Sequence, residues 1–246
     1  MRYHMLDNLR GLNLISMILY HLTWDLVYLF GVNWEWYQGL GAYLWQQAVC
    51  WIFIFLSGFC CSMGKRGKWK RGGEVFLAGF LVTVVTCMVM PDQRVVFGVL
   101  TLLGSCMLIW NVLECGLKYV PNIVGFIACL FLFVLLRNVE GGYLGLKGIW
   151  MIALPRTWYA NSFSAYLGFP PRTFFSTDYF PLFPWFFLFL SGYFFYRILQ
   201  KMDKMQWLVG RKIEVLSKIG KHSLPIYMLH QPVLYAVLLF WFEMIS

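Results

Sequence analysis

The chain is built from long apolar runs that short polar segments separate. About seven of these runs approach or reach the roughly 20 apolar residues that cross a bilayer. They lie near residues 11–30, 42–63, 74–90, 95–114, 121–137, 182–199 and 223–243. Each run is apolar on all sides, whereas the strands of a membrane barrel alternate apolar and polar positions. The pattern therefore predicts an all-α, polytopic membrane bundle of about seven transmembrane helices.

The segment 138–181 breaks this regular pattern. It is long and rich in proline, yet it contains the apolar stretch LGLKGIWMIALP, which is too short to span comfortably. Within residues 144–168 we expect an extra element, either a re-entrant or interfacial segment or half of a broken span. The chain shows no internal repeat, low-complexity tract or domain boundary, so we expect one transmembrane domain over residues 1–246.

Composition and charge agree with this interpretation. The chain is 60% hydrophobic and 13% charged, against about 45–50% and about 25% in soluble domains. The net charge of +9 does not indicate nucleic-acid binding. Most of the 20 Lys and Arg residues fall in the first, third, fifth and seventh polar segments, which would all lie on one side of the bundle. The positive-inside rule then predicts a cytoplasmic N-terminus.

The first span carries ionisable side chains, which are costly in lipid and indicate function by default. Arg10 precedes His21 by eleven residues, and Asp25 follows His21 by four. At about 100° per residue all three fall on one helix face, and His21 and Asp25 are neighbours one turn apart. A carboxylate beside an imidazole favours a general base. A helix–helix hydrogen bond that stabilises the bundle is the alternative explanation.

Other polar residues are candidates for a substrate pocket. His230 lies in the last span and can either line the same cavity as His21 or bond a neighbouring helix. Asp178 and Tyr179 precede the sixth span and can shape a pocket or simply close a turn before the helix. None of the seven cysteines lies in a metal-ligand spacing with histidine, so we expect no metal site.

The opening segment LDNLRGLNLISMILYHLTWDL resembles bacterial homologues of the heparan-α-glucosaminide N-acetyltransferase catalytic domain family. In that family the first span begins Leu-Asp-x-x-Arg-Gly and has a polar residue eleven positions after the arginine. Arg10 and His21 are also similar to the Arg–His motif of the related acyltransferase-3 family. Further similar segments are residues 51–64, 97–109, 167–185 and 220–235. Thr101 departs from the histidine that many short bacterial members carry there, and the loop after the first span has no histidine.

The resemblance implies an integral membrane enzyme of the bacterial plasma membrane, an O- or N-acetyltransferase. Acetyl-CoA would be the donor and a sugar or another cell-envelope molecule the acceptor. His21 would be the general base, Asp25 would orient and stabilise it, and Arg10 would hold a donor phosphate or anchor the span through Asp7. The alternative function is a small-solute transporter or channel in which His21 and Asp25 relay protons. A structural membrane protein without chemistry is the third possibility.

Overall fold

A computed structural model describes residues 3–64 and 68–245 of the chain. Lys65 and Arg66, which belong to the basic third segment, lie outside the described residues. The described residues form nine α-helices and one β-hairpin. The helices are α1 (His4–Tyr28), α2 (Leu40–Cys61), α3 (Lys68–Val89), α4 (Val99–Leu117), α5 (Asn122–Leu135), α6 (Ser162–Leu167), α7 (Leu182–Lys201), α8 (Glu214–Lys221) and α9 (Ser223–Ile245).

The predicted all-α membrane bundle is confirmed. Within the described residues five helices are long and apolar enough to cross a membrane, namely α2, α3, α4, α7 and α9. Helix α5 is apolar but has only 14 residues. Helix α1 has 25 residues, long enough to span at 1.5 Å per residue, but it is more polar than the five. The spans predicted at α1 and α5, and the cytoplasmic N-terminus, stay predictions.

The chain divides into two compact units, and the division runs through α2. Unit 1 contains Met1–Phe53 and Asp203–Ser246, and unit 2 contains Ile54–Met202. The single domain expected over residues 1–246 stays a prediction. In unit 1, helix α1 packs mainly on α8 and α9. A side chain at Gly11 would collide with the carbonyl of Leu216, and one at Gly220 would collide with that of Asp7. These two glycines therefore allow α1 and α8 to pack backbone to backbone.

The core of unit 1 covers the middle of α1. Leu14 and Met17 are buried together with Val49 of α2. The side-chain amide of Asn13 donates to the carbonyl of Val49 at 3.0 Å, and the indole of Trp45 donates to the Ser16 hydroxyl at 2.8 Å. Side chains thus fix α1 to the first part of α2, and this contact positions the polar residues one turn further along α1.

In unit 2 the most extensive contacts join α3 to α4 and α5 to α7. Side chains at Gly79 and Gly104 would collide with the backbone of Thr101 and Phe76, so α3 and α4 also pack backbone to backbone. Helix α7 supplies much of the unit's core, with Phe189 and Phe194 almost fully buried. Burial of these large aromatic side chains stabilises the unit.

The apolar stretch within 144–168 forms a β-hairpin followed by the short helix α6. Strands β1 (Tyr143–Leu146) and β2 (Trp150–Ala153) pair antiparallel and form a small β element in a chain that is otherwise mostly α-helical. The physical reason is the glycine content: Gly142, Gly145 and Gly148 all have positive φ values, which a helix does not allow. The side-chain amide of Asn138, just beyond α5, donates to the Gly145 carbonyl at 2.6 Å and fixes the hairpin.

Candidate functional site

Four polar side chains of unit 1 lie together where α1 meets α9. They are His21 and Asp25 of α1 and His230 and Gln231 of α9, and we refer to them as the polar cluster. Helix α1 contributes its pair because residues four apart share a face. Helix α9 contributes consecutive residues, so one of them faces His21 and the other faces Asp25.

The Asp25 side chain is fully buried, with 0% of its surface exposed. Its Oδ1 atom accepts a hydrogen bond of 2.6 Å from Nε2 of Gln231. Within the described part of the chain its Oδ2 atom and Oε1 of Gln231 are buried without a partner. Buried polar atoms are nearly always paired, so two open acceptors side by side are unusual. Both acceptors thus lack a hydrogen-bond donor among the described residues.

The second half of the cluster is a pair of imidazole rings. The ring centres of His21 and His230 are 4.9 Å apart and the rings meet edge to face. Nδ1 of His230 lies 2.5 Å from the carbonyl oxygen of Tyr227. A carbonyl can only accept, so Nδ1 carries the proton and donates it, which leaves Nε2 as an acceptor. That Nε2 atom is buried and has no partner among the described residues.

The structure brings together His21, Asp25 and His230 from the predicted site residues. Across the described residues, however, no hydrogen bond joins His21 to Asp25, and the bond of the carboxylate is to Gln231. The orienting role of Asp25 therefore stays a prediction. Sequence reasoning gave Gln231 no role. The available signal was its position: a second polar residue next to a histidine inside an apolar span is costly and indicates function.

Arg10 lies about three turns before His21, nearer the N-terminal end of α1. Its Nη1 atom is 3.8 Å from Oδ1 of Asp7, and both side chains are partly shielded from solvent. This contact between Arg10 and Asp7 corresponds to one of the two roles considered for Arg10, that of anchoring the span. The other role, holding a donor phosphate, stays a prediction.

Asp178 and Tyr179 lie in unit 2, outside the unit that holds the polar cluster. Oδ2 of Asp178 accepts a long hydrogen bond of 3.4 Å from the backbone N–H of Val99, in the first turn of α4. The hydroxyl of Tyr179 donates to the carbonyl of Ala165 in α6 at 2.5 Å. Both side chains thus tie the loop before α7 to other elements of unit 2.

Burial changes the pKa values of Asp178 and Tyr179. Asp178 as a residue is half-buried, but its carboxyl group is enclosed, and this burial raises the pKa of Asp178 to about 6. The Val99 N–H partly opposes the shift. Burial also raises the pKa of Tyr179. Phe97, next to this region, has a φ of +57° and its carbonyl accepts from the backbone N–H of Phe180 at 2.9 Å. The loop is therefore held by several specific bonds.

The described ranges were also searched for side chains that could bind a metal ion together. Residues 3–64 and 68–245 contain no group of three or more His, Cys, Asp or Glu side chains that could hold a metal ion. Thr101, which stands where many family members are expected to carry histidine, is buried in α4, and its hydroxyl oxygen has no partner within these ranges.

Comparison with known proteins identifies one family. The family model described as heparan-alpha-glucosaminide N-acetyltransferase, catalytic, matches residues 2–232. This range includes all four residues of the polar cluster, the Arg10–Asp7 pair, and Asp178 with Tyr179. The comparisons found no matching curated protein and no matching solved structure.

Proposed function

The chain belongs to the heparan-alpha-glucosaminide N-acetyltransferase catalytic family, and from this premise we propose that it transfers an acetyl group from acetyl-CoA to a sugar-like acceptor. The family is one of membrane acetyltransferases, and the five apolar helices make this chain an integral membrane protein. The donor, the acceptor, the bacterial plasma membrane as location and the residues that act are parts of the proposal.

Acyl transfer requires one base and one leaving group. An acceptor hydroxyl or amine attacks the thioester carbonyl, its proton passes to a base, and the C–S bond breaks to release CoA as a thiolate that takes up a proton. Histidine is the side chain best suited to this exchange near neutral pH. We assign the base to His21, as the Arg10-to-His21 spacing suggests. Asp25, one turn away, would stabilise the imidazolium.

The observation that supports this assignment best is the set of unsatisfied atoms in the polar cluster. Asp25 Oδ2, Gln231 Oε1 and His230 Nε2 are all acceptors, all buried, and all unpartnered in the described residues. A purely structural hydrogen-bond network would satisfy them, because each open acceptor costs about 1–3 kcal/mol. The sugar-like substrate that receives the acetyl group carries hydroxyl or amino groups, whose O–H and N–H can donate to these three atoms. His230 and Gln231 would then hold this substrate while His21 takes its proton.

The remaining candidates receive secondary roles. Arg10 would keep the N-terminal turns of α1 in place through Asp7 and offer its remaining donors to a donor phosphate. Asp178 and Tyr179 would support the shape of unit 2, where their bonds to α4 and α6 place them.

The experiment is an acetyl-transfer assay with purified protein, acetyl-CoA and a panel of amino sugars and hydroxylated glycosides. Replacement of His21 by Ala should lower kcat by about 10²–10⁴, the usual contribution of a general base. His222→Ala is the matched control, because this exposed histidine lies just before α9 and outside the cluster. Its activity should be that of the unchanged protein.

Two results would contradict the proposal. One is an active protein in which His21→Ala is as fast as His222→Ala. The other is a protein that neither binds nor cleaves acetyl-CoA but carries a solute across liposomes in a way that Asp25→Asn abolishes. That second result would establish the transporter alternative.

A further inference from the structure

Residues 203–222, which belong to unit 1, join two apolar helices, and we refer to them as the connector. Helix α7 ends at Lys201 and α9 begins at Ser223, and both helices are long and apolar enough to cross a membrane. A short segment between two spans lies at a membrane surface. The positive-inside rule predicts that this surface is the cytoplasmic one.

The connector is held firmly on α1. The side-chain amide of Asn8 donates to the carbonyl of Arg211 at 2.9 Å, and its oxygen accepts from the backbone N–H of Ile213 at 3.3 Å. Helix α8, which forms the last part of the connector, packs so closely on α1 that a side chain at Gly220 would collide with the carbonyl of Asp7. The connector therefore presents a fixed outer surface.

This outer surface is cationic. The connector contains five basic and two acidic residues. Lys218 and Lys221 are three residues apart, so they share a face of α8, and both are exposed, as is Arg211. Across the described part of the chain none of these three side chains forms an ion pair, whereas Lys212 pairs with Glu214 at 3.0 Å. Three exposed positive charges are thus left without a counter-charge from the described residues.

The connector also exposes large apolar side chains. Trp207, Ile213 and Val215 are each at least half exposed. Nζ of Lys204 lies 4.5 Å from the centre of the Trp207 ring. Single exposed apolar residues are normal on a soluble surface, but tryptophan among aliphatic and basic residues beside a span is typical of the membrane interface. Water solvates the charges of this surface and leaves its apolar side chains unfavourably exposed.

From these two properties we infer that the connector binds the headgroups of anionic phospholipids. Their phosphates are complementary to Arg211, Lys218 and Lys221, and the boundary between headgroups and acyl chains accommodates Trp207 and Val215. A soluble acidic partner would match the charges but leave the apolar side chains in water. Zwitterionic lipid alone would cover the apolar side chains but leave the positive charge unopposed. The inference does not depend on the proposed acetyl transfer.

The two lysines of α8 allow a matched pair of variants. Lys218→Gln with Lys221→Gln removes two exposed charges, whereas Lys218→Arg with Lys221→Arg keeps both charges at the same positions. Both double variants change only exposed positions, so each should fold, and its melting temperature in micelles without added lipid checks this. Trp207→Ser tests the apolar part of the surface.

The measurement is the melting temperature of the full chain in neutral detergent micelles that contain increasing mole fractions of phosphatidylglycerol. This lipid should raise the melting temperature, and phosphatidylcholine should not. One Lys or Arg near an anionic surface strengthens binding about fivefold. The phosphatidylglycerol fraction that gives half of the rise should therefore be at least about tenfold higher in the Gln double variant and within about twofold in the Arg double variant. Trp207→Ser should raise this fraction by a smaller factor.

Three results would overturn the inference. Phosphatidylglycerol could leave the melting temperature unchanged or act no more strongly than phosphatidylcholine, or the Gln double variant could respond as the Arg double variant does. The third result concerns glycerol 1-phosphate, a soluble headgroup without acyl chains, which should have no effect. A rise with this compound equal to that with phosphatidylglycerol would show that the connector binds a soluble anion and not a lipid.

Discussion

The carboxylates of Asp25 in unit 1 and Asp178 in unit 2 are held in contrasting ways. Asp25 is bonded by a side chain from another helix, and its second oxygen is open. Asp178 accepts from the backbone at the start of α4, and the neighbouring Tyr179 hydroxyl is also bonded to backbone. Side-chain partners and open acceptors suit a site that receives a ligand, whereas bonds to backbone hold a loop in place. Variants around Asp25 should therefore affect turnover, and variants around Asp178 should affect stability.

The largest expected effect is that of Asp25→Asn on catalysis. Loss of the negative charge beside His21 removes the stabilisation of the imidazolium, so kcat should fall by about 10²-fold. The melting temperature should hold or rise, because burying a neutral amide costs less than burying a carboxylate. Thr23→Val, a change at another buried polar position of α1 whose hydroxyl bonds its own helix at Leu19, is the control. Equal kcat values for Asp25→Asn and Thr23→Val would contradict the catalytic role of Asp25.

Gln231→Leu should have the next largest effect. It removes the amide that donates to Oδ1 of Asp25 and leaves that oxygen without this hydrogen bond. A hydrogen bond to a charged group contributes about 1.5–3 kcal/mol, so kcat/KM should fall about tenfold or more. Gln231→Glu keeps the shape but places two carboxyl groups together, so mutual repulsion should make it at least as slow as Gln231→Leu. A kcat/KM equal to that of the unchanged protein in either variant would contradict this role.

In unit 2 the expected effect is on stability. Tyr179→Phe removes the hydroxyl that bonds the Ala165 carbonyl, which should lower the free energy of unfolding by about 1 kcal/mol with kcat unchanged. Tyr119→Phe is the control, because Tyr119 is 79% exposed. Unfolding by denaturant in mixed micelles measures the difference. A fall in kcat without a fall in stability would instead indicate that Tyr179 has a functional role.

The smallest expected effect is a change in pH dependence. The folded-state pKa of Asp178, about 6, lies above its ordinary value of 3.8, so the folded state binds the proton more tightly than the unfolded state does. The stability from this protonated carboxyl is complete below about pH 3.8 and is lost as the pH rises through about 6. Asp178→Asn does not titrate, so its melting temperature should fall less between pH 4 and pH 7. The exposed-site variant Asp92→Asn should keep the full slope.

The sequence predicted the helices well because apolar length and all-round hydrophobicity are local properties. It also singled out His21 and Asp25, since charges in an apolar span are conspicuous. It could not show that Asp25 would pair with Gln231, because that contact joins residues 206 positions apart. The hairpin was missed for a different reason. Its residues are apolar enough for a membrane helix, and the decisive signal was the glycine spacing at Gly142, Gly145 and Gly148.

The hairpin also constrains how deeply unit 2 enters the bilayer. It is a sheet of two strands, so within the described chain the outer edge of each strand has backbone groups without a strand partner. Hydrocarbon cannot solvate such groups. Yet Ile149 is 82% exposed, and Trp150 and Ile152 are about half exposed, so bulk water is equally unsuitable. We therefore expect the hairpin to lie in the headgroup layer, which accommodates both kinds of group. Since Asn138 ties the hairpin to α5, we expect that short helix to end at the same depth.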